Sequence, residues 1–295
     1  MESNVPDSLG LIAGRGAYPL QLADSARRQG VERICAVGFR GETDSRLAAL
    51  VNEIQWLRVG QLQRLLDAVA GFGVPVAVMA GQIRPKHLFR VRMDRRMLDL
   101  LKRLRTRNAE TIFGAVAEEL KTVGVTLLPA SRFMERHTPQ AGTLSRRQPS
   151  AREWGDVDLG LRVARASSDL DVGQTVVVKE GTVLAVEAFE GTDAAIRRAG
   201  KLGGRGNVVV KVAKEAHDMR FDIPVIGRHT VKTLRKAGST ALAVEAGRCI
   251  LLERDDLVRD LDALNVAFVA VDRLSEVKNN KPHPPPQSVV HSLGL

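Results

Sequence analysis

The chain has 295 residues, a net charge of +10 and 44% hydrophobic residues, which is enough to bury two compact cores. No run reaches the roughly 18 apolar residues of a membrane-spanning helix, and the opening MESNVPDSLG lacks the basic and apolar regions of a signal peptide. Cys35 and Cys249 lie in separate apolar segments with no metal-binding or redox spacing, so we expect reduced thiols in a cytosolic protein.

The first 135 residues alternate between two kinds of pattern. Apolar runs at 9–13, 34–38, 75–80 and 125–128 predict strands, and amphipathic segments at 20–28, 60–70 and 108–120 predict helices, the last with Asn108 as N-cap. Such alternation is typical of βαβ units. The sequence therefore predicts an α/β protein whose N-terminal domain, residues 1–135, is Rossmann-like with a parallel sheet.

Two glycine loops follow predicted strands. Gly14, Arg15 and Gly16 separate the first strand from the first helix, and Gly81 and Gln82 follow the strand at 75–80. A glycine loop before a helix can bind phosphate through backbone N–H groups. Pro19 occupies the third-glycine position of a dinucleotide fingerprint, and no Lys-Ser/Thr follows as in a P-loop. A ligand loop and a tight turn both remain open.

Positive charge is concentrated at residues 84–107, which hold eight arginines and two lysines against two aspartates. Leucines at helical spacing within this segment predict an amphipathic helix. Three interpretations are open: a solvated helix face, a surface for anionic lipid, and a nucleic-acid groove. Aromatic residues are only 4% of the chain and no RNP, KH or zinc-finger pattern occurs, so we expect no nucleic-acid partner.

Residues 136–153 are rich in Pro, Gly, Ser, Gln and Arg, and are assigned as a linker or an ordered crossover before a second α/β domain at 154–274. Within that domain the patterns predict a helix at 156–166, a hairpin turning at Glu180 and Gly181, and a helix capped by Thr192. Further strands are predicted at 208–213, 241–244 and 266–271, with a helix at 230–237. The tail, 275–295, has no core-forming pattern and is expected to be disordered.

The segment VVVKVAKEAHDMRFDIPVIG, residues 208–227, combines an apolar strand with a charged loop. Lys214 and Arg220 are cations that can hold phosphate, and Asp218 and Asp222 are carboxylates that can hold a metal or a water. Pro224 pushes the residue before it towards extended geometry. A phosphoryl-transfer site and a solvated charged turn are both compatible with this loop.

Two other segments of the second domain carry candidate groups. Thr192 and Asp193 open a helix, either as caps or as an acidic wall facing Asp222, and Gln174 precedes a strand, either as a surface residue or as an amide for a base or sugar. The chain contains no HExxH, no two-metal phosphoesterase motif, no Nudix box and no GxSxG elbow. These absences disfavour zinc hydrolases, two-metal phosphoesterases, Nudix pyrophosphatases and serine hydrolases.

With these residues in view, the chain resembles the LpxI family of UDP-2,3-diacylglucosamine pyrophosphatases over most of residues 9–272. The resemblance rests on LGLIAGRGAYPL, MAGQIRP, LDVGQTVVVKEGTVLAVEAFEGTDAAIRRAG, VVVKVAK with DMRFDIPVIG, and VEAGRCILLE. It implies hydrolysis of UDP-2,3-diacylglucosamine to UMP and 2,3-diacylglucosamine 1-phosphate, in lipid A synthesis. It also implies substrate held between two domains, Mg²⁺ as cofactor, and action at the cytoplasmic face of the inner membrane. The essential aspartate of the family matches Asp222.

The residue chemistry and the resemblance together give a set of predicted sites. The predicted catalytic residues are Asp222, Arg220 and Asp218, and the predicted Mg²⁺ ligands are Asp222 and Asp193. The predicted substrate-binding residues are Gly14, Arg15, Gly16, Gly81, Gln82, Gln174, Thr192, Asp193 and Lys214. An anionic membrane surface is the expected partner besides substrate, and a homodimer is left open. The alternative function is a non-catalytic nucleotide-sugar binding protein.

Overall fold

A computed structural model describes residues 5–83, 92–214, 218–221 and 223–272. Asp222, much of the basic segment and the predicted tail therefore lie outside the described residues. Within the described ranges, no helix is long and apolar enough to cross a membrane.

The N-terminal sheet is parallel and five-stranded, with order β3-β2-β1-β4-β5. Its strands are β1 (Ser8–Ala13), β2 (Arg33–Phe39), β3 (Glu53–Leu57), β4 (Val76–Ala80) and β5 (Thr126–Leu127). Its helices are α1 (Tyr18–Arg28), α2 (Leu62–Gly71), α3 (Arg95–Arg103) and α4 (Ala109–Lys121). From β1 the chain builds β2 and β3 on one side, and it then crosses to β4 on the other side of β1. This reversal creates a crevice at the carboxyl ends of β1 and β4, where open α/β sheets bind ligands.

The C-terminal sheet is mixed and six-stranded, with order β6-β13-β11-β9-β7-β8. Its strands are β6 (Gly142–Thr143), β7 (Thr175–Lys179), β8 (Thr182–Val186), β9 (Asn207–Lys211), β11 (Ser239–Glu245) and β13 (Ala267–Val271). The central β9, β11 and β13 are parallel, and the flanking strands are antiparallel to their neighbours. The helices are α5 (Ala151–Asp169), α6 (Thr192–Gly203), α7 (Arg228–Ala237) and α8 (Arg254–Ala263). The predicted two-domain α/β fold is confirmed.

A small parallel ribbon of β10 (Val225–Ile226) and β12 (Ile250–Leu251) connects the two halves. Ile223, Ile250 and Leu252 pack into the hydrophobic core beneath α1 of the first sheet. The N–H of Ala130 donates to the carbonyl of Met219 at 2.7 Å. Residues following β9 are therefore held against the first domain.

Local signals in the sequence predicted several elements well. The hairpin turn at Glu180 and Gly181 has positive φ at both residues, 50° and 74°, as a type I′ turn requires. Asn108 caps α4, since its side chain accepts from the N–H of Thr111 at 2.9 Å. These features depend on residues close together in the chain.

Two predictions of local structure were wrong, and one strand was missed. Thr192 is not the N-cap of α6 but its first residue, because Gly191, with φ 83°, occupies the cap. The helix predicted from residue 156 begins at Ala151, where Ser150 and Glu153 form a capping box. Strand β3 was not predicted, because its alternating EIQWL pattern belongs to a half-exposed edge strand.

Candidate functional site

The two predicted glycine loops meet at the crevice between β1 and β4. The N–H of Gly14 donates to Ala80 at 2.7 Å, and Arg15 and Gln82 exchange two backbone hydrogen bonds of 2.8 and 3.3 Å. The loops are thereby joined into one platform at the carboxyl edge of the sheet. The strand–loop–helix context predicted for 14–16 is confirmed.

The three glycines of this platform serve different purposes. A Cβ on Gly14 would lie 2.7 Å from the carbonyl oxygen of Gln82, and a Cβ on Gly81 would lie 2.7 Å from that of Arg15. Gly14 and Gly81 thus permit the two loops to pack against each other. Gly16 has φ +94°, and an added Cβ would meet no described atom within 4 Å. Gly16 is therefore the glycine that borders open space, just before the N-terminus of α1.

An apolar cavity of about 380 Å³ opens beside this platform. The platform contributes Gly14, Gly81 and Gln82 to its wall. The remaining walls are mostly apolar and come from β1, β4, α2, α3 and α4, including Ile12, Leu62, Leu65, Met79, Met97, Ile112, Phe113 and Val116. Phe221 closes the cavity from the chain segment after β9, with its ring centroid 5.9 Å from that of Phe113. The cavity can accept an apolar group of a ligand whose polar part lies on the platform.

A chain of hydrogen-bonded polar side chains lies at the corresponding edge of the second sheet. Lys211, at the end of β9, donates to Oγ1 of Thr192 at 2.8 Å, and Thr192 donates to Oε1 of Glu187 at 2.9 Å. Lys211 and Glu187 are 6% and 8% exposed. The side chain of Thr192 is therefore oriented by a cation on one side and a carboxylate on the other.

Three acceptor oxygens around this chain are buried without a partner among the described residues: Oε1 of Gln174, Oε2 of Glu187 and Oδ1 of Asp193. A buried acceptor left without a donor typically costs about 1–3 kcal/mol. Their common need is for hydrogen-bond donors or a cation, so the cluster is suited to a ligand that carries hydroxyl or N–H groups.

Helices α6 and α7 begin close to this cluster, each with a glycine at the N-cap and no side-chain cap within the described chain. Nε2 of His229, in the first turn of α7, lies 3.1 Å from Oδ2 of Asp193, in the first turn of α6. Uncapped helix N-termini present N–H groups and a positive dipole end, which suits an anionic group such as phosphate.

Lys214 links the two domains next to the cavity. Its Nζ lies 2.7 Å from Oε2 of Glu110, which lines the cavity, and 2.8 Å from Oδ1 of Asp171. Hydrogen bonds to Asp171 and Glu110 raise the pKa of Lys214, so it carries its charge throughout the neutral range.

Arg220 forms a two-point hydrogen bond with Asp218, from its Nε to both carboxylate oxygens at 2.8 and 3.0 Å. The hydrogen bonds from Arg220 lower the pKa of Asp218, and the same contact raises the pKa of Arg220. Asp218 is thus oriented towards Arg220 and acts on it as a counter-charge. Asp222 lies outside the described residues, so its predicted catalytic and metal-binding roles remain predictions.

Comparison with known proteins identifies the family. The sequence model of the LpxI N-terminal domain matches residues 8–137, and that of the LpxI C-terminal domain matches residues 140–269. A UDP-2,3-diacylglucosamine pyrophosphatase LpxI of Caulobacter vibrioides is 30% identical over 275 residues, covering 90% of this chain and 97% of that protein. The chain belongs to the LpxI family.

Similarity of this LpxI chain to solved structures is remote. The biotin carboxylase domain of the Hydrogenobacter thermophilus 2-oxoglutarate carboxylase shares 13% identity, with a TM-score of 0.25, over 59% of this chain and 35% of the other. The biotin carboxylase subunit of a pyruvate carboxylase shares 14%, with a TM-score of 0.26, over 68% and 43%. These scores are too low to support any inference about the LpxI site.

The predicted Mg²⁺ can be tested against the LpxI residues in view. Among the described residues there is no group of three or more His, Cys, Asp or Glu side chains that could hold a metal ion. Asp193 nevertheless has a buried carboxylate oxygen without a described partner. Mg²⁺ often takes only one or two carboxylates and completes its shell with water and substrate phosphates. Asp193 could therefore contribute one ligand, and the predicted Mg²⁺ stays a prediction.

Sequence reasoning missed three residues of the LpxI site: Glu110, Glu187 and Lys211. Glu187 and Lys211 did carry a signal, since each is a charged residue ending an apolar strand, in VLAVE and VVVK. Glu110 carried none, because an acidic residue in the first turn of a helix is ordinary.

Proposed function

We propose that this LpxI family member hydrolyses the pyrophosphate bond of UDP-2,3-diacylglucosamine, giving UMP and 2,3-diacylglucosamine 1-phosphate in lipid A synthesis. The observation that carries the proposal is the apolar cavity of about 380 Å³ that opens beside the glycine platform. A substrate with a fatty acyl part and a pyrophosphate needs both features side by side. The Caulobacter relative bears the name of this activity.

The acyl part of the substrate enters the cavity between the sheet and α2, α3 and α4. Its volume lies in the range of about 300–1,000 Å³ that is usual for ligand sites. Each methylene that leaves water contributes about 0.8 kcal/mol. The cavity walls therefore supply binding energy that is independent of the nucleotide.

The pyrophosphate lies over the platform, close to Gly16 and the N-terminus of α1. The nucleoside reaches the second domain, where Gln174 and Glu187 offer acceptors without described partners. A pyrimidine N–H and ribose hydroxyls are the donors that such acceptors require. The substrate then bridges the two domains.

Cations of the second domain offset the charge that grows on the phosphoryl oxygens. Lys214 stands at the cavity edge, and Arg220 is oriented by Asp218. Asp222 would orient the attacking water, and Asp222 and Asp193 are the carboxylates that would hold Mg²⁺. The metal, when bound, polarises phosphoryl oxygens and neutralises their charge.

The substrate carries two acyl chains and is therefore a membrane amphiphile, so we assign the protein to the cytoplasmic face of the inner membrane as a peripheral protein. Cationic side chains on α3 support this assignment, since Arg95 and Lys102 are 96% and 73% exposed. Arg96 contributes less to this surface, because its side chain is only 32% exposed and pairs with Glu119 at 2.7 Å.

The experiment is to incubate purified protein with detergent-dispersed UDP-2,3-diacylglucosamine and to quantify UMP by chromatography, with Mg²⁺ and with EDTA. We expect one UMP per substrate consumed with Mg²⁺ and little with EDTA. Tight binding without UMP release would instead establish a nucleotide-sugar binding protein.

A further inference from the structure

Two loops of the second domain expose large apolar side chains. Leu170 and Val172, after α5, are 76% and 48% exposed, and Phe189, after β8, is 82% exposed. Exposed apolar side chains that cluster on one surface mark contacts with partners or membranes more often than isolated ones do.

The two loops that carry these side chains meet, because both continue past the end of one hairpin. The pairing of β7 with β8 ends at Val176 and Val186. Beyond this pair, the N–H of Glu187 donates to the carbonyl oxygen of Thr175 at 2.8 Å. Gly173 packs directly on the backbone of Glu187, where a Cβ would clash. Gly173 and Glu187 thus join the two loops, and we term the exposed apolar residues of these loops, Leu170, Val172 and Phe189, the apolar tip.

Asp171 holds the apolar tip in place. It has a left-handed backbone with φ 60°, its Oδ1 accepts from Lys214 at 2.8 Å, and its Oδ2 accepts from Asn108 at 2.9 Å. The polar residue in the middle of the loop is thus bonded to the protein, while its apolar neighbours on both sides stay exposed.

The surroundings of the apolar tip are basic. Asn108, which donates to Asp171, comes directly after the exposed Arg107 and three positions after the exposed Arg105. The last turn of α3 adds Lys102 and Arg103, 73% and 67% exposed. An apolar centre with cations beside it is complementary to a surface that has a hydrocarbon interior and anionic head groups.

The loop of the apolar tip is also joined to the wall of the cavity. Lys214 contacts Asp171 in the tip loop and Glu110 in the cavity wall. A lipid surface in contact with the tip would therefore lie close to the place where an acyl chain enters.

We propose that the apolar tip, with Arg105 and Arg107 beside it, docks on an anionic lipid bilayer and aligns the cavity mouth with that surface. The inference rests on the proposed function only in that an acylated substrate must be drawn from a bilayer. Leu170 and Phe189 enter the interfacial region, and the arginines contact the head groups.

The test measures co-sedimentation with vesicles of phosphatidylglycerol and phosphatidylcholine, without substrate. The double variant Leu170→Ser/Phe189→Ser should lower the partition coefficient by about tenfold or more, since both apolar contacts with lipid are lost. The control Leu50→Ser removes a 37% exposed leucine next to the amino-terminal edge of the first sheet and should bind like the parent. Unchanged binding of the double variant would overturn the proposal.

A second variant tests the charge. Arg105→Glu/Arg107→Glu should weaken binding to these vesicles by about tenfold or more at low salt, and less at high salt. Hydrolysis of detergent-dispersed substrate should stay within about twofold of the parent for both double variants. If detergent activity falls instead, the tip belongs to the substrate site. If the parent sediments as a dimer and the Leu170→Ser/Phe189→Ser variant as a monomer, the tip is an interface between copies. Either result overturns docking on lipid, and neither depends on the protein having the proposed activity.

Discussion

Lys214 donates to Glu110 at 2.7 Å although the two residues are 104 positions apart in the chain. Lys214 follows strand β9 of the second sheet, and Glu110 lies in the first turn of α4 beside the first sheet. Their contact joins the two domains at the wall of the apolar cavity. A phosphate that enters there meets a lysine already held in position by two carboxylates.

Replacing Lys214 tests whether that lysine serves the reaction. Lys214→Met keeps an unbranched side chain, one atom shorter, and removes the charge, so we expect kcat/KM to fall by about tenfold or more through lost stabilisation of phosphoryl charge. Steady-state UMP release measures this. Lys121→Met, which removes an exposed lysine paired with Glu118 at 2.8 Å, is the control and should retain activity. Parent-like kinetics of Lys214→Met would limit Lys214 to joining the domains.

Asp222 carries the strongest prediction about catalysis. Asp222→Ala should remain folded and lose hydrolysis by roughly 10² or more, while still binding intact substrate. Removal of a negative charge beside the pyrophosphate favours the ground-state complex. Single-turnover UMP release and equilibrium binding separate the two effects, with Asp24→Ala on α1 as a surface control. Turnover within a few-fold of the parent would move the role to Asp193 or Asp218.

Gly16 should be needed for the pyrophosphate to approach the platform. Gly16→Val places a branched side chain in open space at φ +94°, so we expect UMP and substrate binding to collapse. Gly124→Val imposes the same kind of strain at φ +80°, also in open space, but precedes β5 at the opposite edge of the sheet. Titration calorimetry with UMP should show a loss for the first variant alone. Equal UMP binding by both variants would show that residues 14–16 form only a tight turn and not a ligand loop.

Filling the cavity should discriminate between the acyl and nucleotide parts of the substrate. Val116 is 7% exposed and lines the cavity from α4. Val116→Phe should raise KM for the diacylated substrate by about tenfold while UMP binding is retained, because bulk replaces the space for methylenes. Val116→Ala enlarges the same space and should be close to the parent. An unchanged KM in Val116→Phe would exclude this cavity as the acyl site.

Glu153 should make stability depend on pH. Burial by itself raises the pKa of Glu153, but hydrogen bonds from Arg147 and the Ser150 N–H outweigh it and lower the pKa to about 2. Because the folded-state pKa lies below the unfolded value, the stabilisation is present above about pH 4.5 and is lost as pH falls towards 2.

The measurement is urea unfolding of the parent and Glu153→Gln from pH 7 to pH 2. The difference in the free energy of unfolding should be up to about 3 kcal/mol at neutral pH and should shrink towards pH 2. Asp158→Asn, on the same helix with an exposed partner Arg162 at 3.4 Å, should change stability by less than about 1 kcal/mol. A difference that does not vary with pH would show that packing, not charge, is lost.

The sequence predicted those parts of the site that follow from residues close together. Gly14–Gly16 after a strand and the Glu180–Gly181 turn of the hairpin depend on spacings of a few residues. The Asp218–Arg220 ion pair is equally local, but the sequence did not predict it. A phosphate-binding loop could therefore be inferred from neighbouring residues, but the need for a glycine at position 14 could not. Because Gly14 has no Cβ, the backbone of Gln82 can pack against it, and Gln82 belongs to the separate loop that follows β4.

The chain by itself determined the α/β class, the two domains and the family, because strand and helix periodicities and the long second-domain motif are local properties. Only the tertiary structure decided which polar groups meet. Glu110 with Lys214, and Lys211 with Thr192 and Glu187, are brought together by the parallel order of strands and by the docking of one domain on the other. The apolar cavity likewise exists only where three helices leave a space above the sheet. Such contacts arise from packing between distant segments, which no pattern of neighbouring residues encodes.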